Sequence, residues 1–230
     1  MNSFFTESVF FGAVVTILCY EIGLLLRDKV KRAICNPMLI ALIAIIAILF
    51  VFHVDYETYY EGAKYLSYFL TPATVCLAIP LYEQIELLKK NVKAIMAGVT
   101  AGVLTSILSV LGCAAVFQLS QKEYLSFLPK SVTTAIGMGI SEELGGMVTL
   151  TVVVIMITGI AGAIVAELVM KLFRIKEPIA KGIGIGSASH VVGTAKAMEM
   201  GRLEGAMSSL SIAVSGVLTV IAASVFAGLY

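Results

Sequence analysis

The sequence predicts an all-α polytopic membrane protein of transporter-like design. About eight membrane segments are expected, some of them broken or re-entrant half-helices. Three observations predict this. Hydrophobic residues make up 59% of the 230 and charged residues only 13%, about half the ~25% usual in soluble domains. Uncharged apolar runs at 37–52, 94–119 and 147–166 approach or exceed the roughly 20 residues that span hydrocarbon. Three other apolar stretches are interrupted by Pro, Gly and hydroxyl residues: LSYFLTPATVCLAIPLYEQ (66–84), PKSVTTAIGMGISEELGG (129–146) and AKGIGIGSASHVVGTAKAME (180–199). Broken helices at membrane depth are tolerated where they pack inside protein or line a cavity. In secondary transporters they often form the substrate site.

The elements follow in order. The apolar stretch from Val9 to Leu26 is longer than a signal-peptide core and lacks a basic leader, so it reads as a retained first helix, 5–26. Arg27, Lys29, Lys31 and Arg32 follow. This excess of positive charge marks the cytoplasmic side and sets the N-terminus outside. Helix 2 starts at Pro37, a residue suited to a first helical turn, and ends near His53 before an acidic loop of Asp55, Glu57 and Glu61. Segment 62–84 returns inward and is kinked by Pro72 and Pro80, each of which removes a helical donor. Lys89, Lys90 and Lys93 close it. Helix 4 covers 92–119, and residues 120–130 form an outer loop. Residues 131–143 are too short and polar for a full span and read as a re-entrant or broken half-helix. A long span at 147–173 ends in the basic cluster Lys171, Arg174, Lys176 and Lys181. A further interrupted segment, 182–200, precedes the last helix, 203–230.

PATVCLAIPLYEQ (72–84) echoes ASHVVGTAKAMEM (188–200), and AGVLTSILSV (101–110) echoes SGVLTVIAAS (215–224), in the same order and at nearly equal separations. The echo divides the chain into two repeats, 1–119 and 120–230, as in duplicated transporters. Parallel and inverted arrangements both stay open.

Net charge is +1, with no basic groove, so no nucleic-acid partner is expected. Cys19, Cys35, Cys76 and Cys113 lack the spacing of a metal site or disulfide framework and read as small buried hydrophobes. No cofactor or metal is implied. Trp is absent, and Tyr56, Tyr59, Tyr60, Tyr65 and Tyr68 could supply one aromatic belt. GxSxG and P-loop signatures are missing, so no enzyme is expected.

The candidate site residues sit in the three interrupted stretches. His190 is the sharpest, because an ionisable group at membrane depth points to function and an imidazole suits proton coupling or carboxylate binding. The alternative is a packed histidine that satisfies a backbone carbonyl. Ser187, Ser189 and Thr194 offer hydroxyls beside it. Pro129 before Lys130, Ser131, Thr133 and Thr134 suggests a helix start with free N–H groups, a credible anion site. Lys130 either draws a carboxylate or snorkels to the interface. Glu142 and Glu143 are proton-carrier candidates or a solvated hinge beside Gly145 and Gly146. Thr71 and Thr74 are pocket donors or kink packing, and Thr74 aligns with His190 in the echo. Glu21 and Glu167 read as structural; Arg27 and Lys171 are their expected partners, the latter at i,i+4 spacing. Gly98, Gly102, Gly112, Gly159 and Gly162 suit close helix packing.

Asn36–Pro37, PATVCLAIPLY (72–82), PKSVTTAIGMGISEELGG (129–146) and GSASHVVGTAKAMEMG (186–201), in this order, resemble the LrgB/CidB family of integral membrane proteins across almost the whole chain. The resemblance implies a bacterial cytoplasmic-membrane location and a small holin-like partner of the LrgA/CidA type. It further implies a link either to murein-hydrolase control and lysis or to movement of pyruvate- and glycolate-like carboxylates. The family often carries proline after SVTT, where this chain has Ala135 and Ile136, and glycine where it has Val191. The latter difference is expected to shift the helix break or narrow the pocket. The reading is secondary transport of a small monocarboxylate or 2-hydroxy acid. Opposed broken helices would converge near the membrane centre, in a possible homodimer. The alternative is an antiholin-like regulator of lysis.

Overall fold

The computed structural model describes residues 10–30, 36–69, 72, 75–76, 78–83 and 85–230. Every regular element among them is helical. The chain forms two compact units, 1–76 and 77–230. This division follows packing and falls elsewhere than the 119/120 boundary of the sequence echo.

The first unit contains α1 (Phe11–Val30), α2 (Pro37–Val51), α3 (Tyr56–Ala63) and a 3-10 turn, Lys64–Phe69. Asn36 caps α2 by accepting from the Met38 N–H at 2.9 Å, and Pro37 follows where its missing donor does no harm. The α1–α2 crossing needs Gly23, since a methyl there would lie 2.7 Å from the Pro37 carbonyl oxygen. Thr16 Oγ1 and Tyr59 OH, 2.7 Å apart, tie α1 to α3. Glu21 is exposed, and Arg27 lies 3.2 Å from Asp28.

The second unit contains α4 (Ala78–Glu83), α5 (Ile85–Phe117), α6 (Gln121–Phe127), α7 (Thr134–Leu144), α8 (Val148–Leu172), α9 (Pro178–Met200) and α10 (Arg202–Phe226). Ile95, Val99, Val103, Ile107, Val110 and Ala114 form one buried stripe of α5 at spacings of three and four. The stripe packs on Ile183, Ala206, Met207, Tyr124 and Leu128. Leu104, Leu108, Val116 and Phe117 of the same helix stay exposed, as suits a surface that meets lipid.

Two of the three interrupted stretches, 129–146 together with α6 and 180–199, fold as helical hairpins. In α9, residue His190 leaves helical geometry at φ 42°, ψ −135°, and the chain doubles back there. A methyl on Gly193 would lie 2.9 Å from the Ile185 side chain and 2.5 Å from Ser189 Cβ. The first contact links residues eight apart, about 12 Å along a continuous helix. The two arms lie against α10 in opposite senses. Gly182 packs on Glu204 and Gly186 on Ser208, whereas Met198 packs on Gly205 and Thr194 on Ser208. The second hairpin is α6, a turn at 128–133, and α7. Ser141 of its returning arm and Ser126 of its entering arm both bond Thr151 of α8.

Helix α8 orders the two hairpins. Thr151 holds α6 and α7, Gly137 of α7 abuts Ile155, His190 meets Ile155 and Gly159, Ser189 seats on Gly162, and Gly184 approaches Met170. The hairpins therefore enter from opposite ends of α8 and meet at Ile155.

This corrects the expected count of about eight membrane segments. Among the described residues, three helices are long and apolar enough to cross: Lys89–Phe117, Val148–Leu172 and Arg202–Leu229. Each hairpin returns to the end of α8 from which it enters. The 15 residues of α2 reach only about 22 Å, short of the ~30 Å hydrocarbon core. Helix α1 carries Glu21, Arg27, Asp28 and Lys29. Cys76 and Cys113 are exposed rather than buried, while Cys19 is buried as expected.

Candidate functional site

The site is built where the hairpin tips face α8 and α10. His190 is 3% exposed. Its Nε2 lies 3.0 Å from the Ile155 carbonyl oxygen. A carbonyl only accepts, so Nε2 carries the hydrogen and Nδ1 of the neutral ring keeps its lone pair. Gly159 makes the seat, because a methyl there would lie 2.6 Å from Cε1 of the ring. The hydrogen bond of the packed-histidine alternative is thus present, and it fixes the ring at the tip.

Thr194 completes this tip. Its hydroxyl donates to the His190 carbonyl at 3.0 Å and lies 2.7 Å from Ser208 Oγ. Thr194 has one hydrogen, so Ser208 is the donor of the second bond. Ser187 donates to the Ile183 carbonyl at 2.7 Å and packs on Gly102 of α5. Ser189 fits against Gly162. These two buried serines hold the tip in place.

The opposite tip is Pro129 to Thr133. Lys130 Nζ donates to Ser131 Oγ at 3.2 Å, and Ser131 Oγ lies 2.9 Å from Ser106 Oγ of α5. Lys130 is half-buried and points inward to this serine pair rather than only to the surface. Thr133 is the N-cap of α7 but makes no side-chain cap bond. The first-turn N–H groups of α7 therefore have no intrahelical acceptor, with the hydroxyls of Thr133 and Thr134 half-buried beside them.

Helix α10 contributes a stripe that sequence reading missed. Ser208, Ser211, Ser215 and Thr219 are buried at spacings of three and four. Ser211 donates back to the Met207 carbonyl. Ser215 is 1% exposed, and its Oγ has no hydrogen-bond partner among the described residues. It lies along α10 between Ser208, which meets one tip, and Gly216, whose added methyl would lie 2.8 Å from Ile136 of α7. The run SSLSIAVS at 208–215 carries this signal, since hydroxyls on one face of an apolar helix have to turn inward.

Other candidates lie apart. Glu142 and Glu143 are exposed at the far end of α7, where Gly145 closes the helix at φ 81°. Val191 is 41% exposed, so it leaves the tip unobstructed, and the break falls at His190. Glu167 lies 3.7 Å from Lys171 as the spacing suggested, but its shorter contact, 2.7 Å, is to Lys196 on the outgoing arm of α9. Thr71 and Thr74 lie outside the described residues. No cluster of three or more His, Cys, Asp or Glu able to hold a metal occurs among the described residues.

The LrgB-like family profile matches residues 16–229. The antiholin-like protein LrgB of Bacillus cereus (strain B4264) is 37% identical over 222 residues, covering 96% of each chain. The protein of the same name from Bacillus anthracis (strain A0248) matches to the same extent. No solved structure gives a significant match. With a family match over nearly its full length and apolar helices to span the bilayer, the chain belongs to the LrgB-like family and is a multi-pass protein of the bacterial cytoplasmic membrane.

Proposed function

We propose that the chain carries out secondary transport of a small monocarboxylate or 2-hydroxy acid, pyruvate- or glycolate-like, between the tips of its two hairpins. The supporting observation is the meeting of oppositely entering hairpins at Ile155. Such broken elements put helix ends at membrane depth. The uncapped first turn of α7 and the hydroxyls of Thr133 and Thr134 bind the carboxylate. Lys130 and Ser131 add positive potential and a polar wall. Ser215 donates to the solute from α10. His190 takes a coupled proton at Nδ1 while Nε2 stays on Ile155. Ser187, Ser189 and Thr194 position the tip. Thr71 and Thr74 enter only through the sequence echo, and Glu142 and Glu143 as relays at an entrance. An LrgA/CidA-type membrane protein acts beside it, and two copies pair as a scaffold.

Uptake of labelled pyruvate and glycolate into proteoliposomes, with and without that partner and across imposed pH gradients, tests the proposal. Saturable uptake that His190→Ala abolishes is expected. Correctly inserted protein that moves neither compound with the partner present removes this substrate class.

A second reading is an antiholin-like regulator of murein hydrolases and lysis. The printed names of the Bacillus relatives favour it more directly than they favour a carboxylate. Autolysis measured in cells that express His190→Ala separates the two. Lysis control that survives in a transport-inactive variant assigns regulation to another part of the chain.

A further inference from the structure

We propose that the basic end of the second unit holds a binding site for the phosphate headgroup of an anionic phospholipid. A cavity of about 500 Å³ opens there between the C-terminal end of α8, the base of the α9 hairpin and the start of α10. Its cations are Lys171, Arg174, Lys176 and Lys181. Arg174, Lys176 and Lys181 make no ion pair among the described residues. The two acids of the cavity leave those three cations unanswered. Glu167 lies 2.7 Å from Lys196 outside the cavity and 3.7 Å from Lys171 within it. Glu204 is buried and turned back on Gly201, in the first turn of α10, where a helix favours negative charge. The cavity is therefore positive, and an arginine with several lysines suits a phosphate.

The floor decides between a free phosphate and a lipid. Met170, Ile175 and Met200 line it, and the adjoining outer face of α8 exposes Leu168 at 66% and Leu172 at 71%. A phosphate alone leaves these apolar groups unused, whereas a phospholipid places its headgroup among the cations and its acyl chains along α8. Basic pockets between membrane helices on the cytoplasmic side bind acidic headgroups in this manner. The excess of positive charge puts this end on that side. Lys181 and Met200 stand on the two arms of α9, so a lipid here grips the base of the hairpin whose tip carries His190.

The test is native mass spectrometry of the purified full chain with phosphatidylglycerol or phosphatidylcholine. Phosphatidylglycerol is expected to be retained at least tenfold better. Arg174→Gln with Lys181→Gln is expected to reduce that retention by roughly 25-fold, at about fivefold per cation. The control, Lys89→Gln with Lys93→Gln, removes as many charges from the same end outside the cavity and is expected to change it less than twofold. Equal retention of both lipids, or equal loss in the control pair, overturns the site. Displacement of the lipid by millimolar inorganic phosphate overturns the lipid and leaves a soluble phosphate as the ligand. In the wild-type chain, a photoreactive phosphatidylglycerol is expected to label residues 167–181 and 200–204. Labelling confined to other helices overturns the proposal without recourse to any variant.

Discussion

Gly159→Ala is the smallest change that tests the seat of His190. The added methyl would lie 2.6 Å from Cε1 and 2.9 Å from Nε2 of the ring. Non-bonded carbons rest about 3.5–4.0 Å apart, so the ring has to withdraw by roughly 1 Å. Its Nε2 is held to the Ile155 carbonyl at 3.0 Å, one turn earlier on the same helix. Withdrawal on that scale carries the contact beyond hydrogen-bond range. The ring is 3% exposed, so bulk water does not reach it to replace the bond. A buried donor left unmet costs about 1–3 kcal/mol, and the overpacking itself adds about 1–3 kcal/mol. Against this, alanine gains about 1 kcal/mol over glycine inside a helix. The balance is a loss of roughly 1–5 kcal/mol, read as thermal unfolding by circular dichroism in detergent. Gly159→Ala combined with His190→Ala removes the clash, so the double variant is expected to be more stable than the two single effects predict by about 1 kcal/mol or more. A Gly159→Ala protein as stable as wild type, with unchanged hairpin geometry, refutes the seat.

Four further outcomes follow from the same contacts. Ser215→Ala removes a buried hydroxyl that has no partner among the described residues, so thermal stability is expected to hold or rise by up to about 1 kcal/mol while the KM for uptake rises; a clear loss of stability shows that the hydroxyl is bonded. Thr194→Val leaves the Ser208 hydroxyl and the His190 carbonyl without their shared partner and is expected to cost about 1–3 kcal/mol, a penalty that Ser208→Ala in the same chain partly relieves. Glu167→Gln with Lys196→Gln breaks the tie between α8 and the outgoing arm, but both groups are partly exposed, so a double-mutant cycle is expected to give only about 0.5 kcal/mol. His190→Gly keeps the break while relieving the positive φ, and His190→Ala keeps the strained backbone but loses the ring. Glycine is expected to be the more stable of the two by about 1 kcal/mol, with uptake lost in both; uptake retained in His190→Gly shows that the break alone suffices.

The sequence carried the breaks but not their consequence. Pro129, Gly145 and the glycines around His190 are local signals, and local rules read them as interruptions of a membrane segment. Whether an interrupted segment continues across or turns back depends on contacts eight or more residues away, such as Gly193 with Ile185 and Thr194 with Ser208. No window of local propensity contains those pairs. This explains why about eight segments were expected where three long spans and two hairpins stand among the described residues. The pairing of Glu167 with Lys171 was legible because both lie on one helix face, whereas Lys196 becomes a neighbour only after α9 folds back. The role of Gly159 and Gly162 was legible as close packing, but the object packed there, the Ser189–His190 tip, was not. Ser215 is different: its single-face serine pattern is visible in the sequence, but that this face meets a hairpin rather than another plain helix depends on the approach of Ile136 to Gly216.

The same geometry bears on how transport and lysis control relate. Where two hairpins meet tip to tip, neither supplies a full-length helix across the hydrocarbon at that point. The seal there rests on side-chain packing at Ile155, Gly137 and His190 rather than on a continuous apolar span. On the proposed function, such a seal opens by movement of one hairpin against α8 and α10, which for α9 means parting the seat at Gly159, the fits of Ser187 on Gly102 and Ser189 on Gly162, the hydroxyl pair at Thr194 and Ser208, and the partly exposed ion pair at Glu167. On the proposed function, an element that admits a small organic anion is also the element whose looseness would change the permeability of the membrane. Variants of the His190 seat are therefore expected to move uptake and autolysis together, while variants at the outer end of α7, such as Glu142→Gln, leave the seal intact. Uptake and lysis that respond to different sets of substitutions would separate the two activities and place the regulatory one outside the hairpin tips.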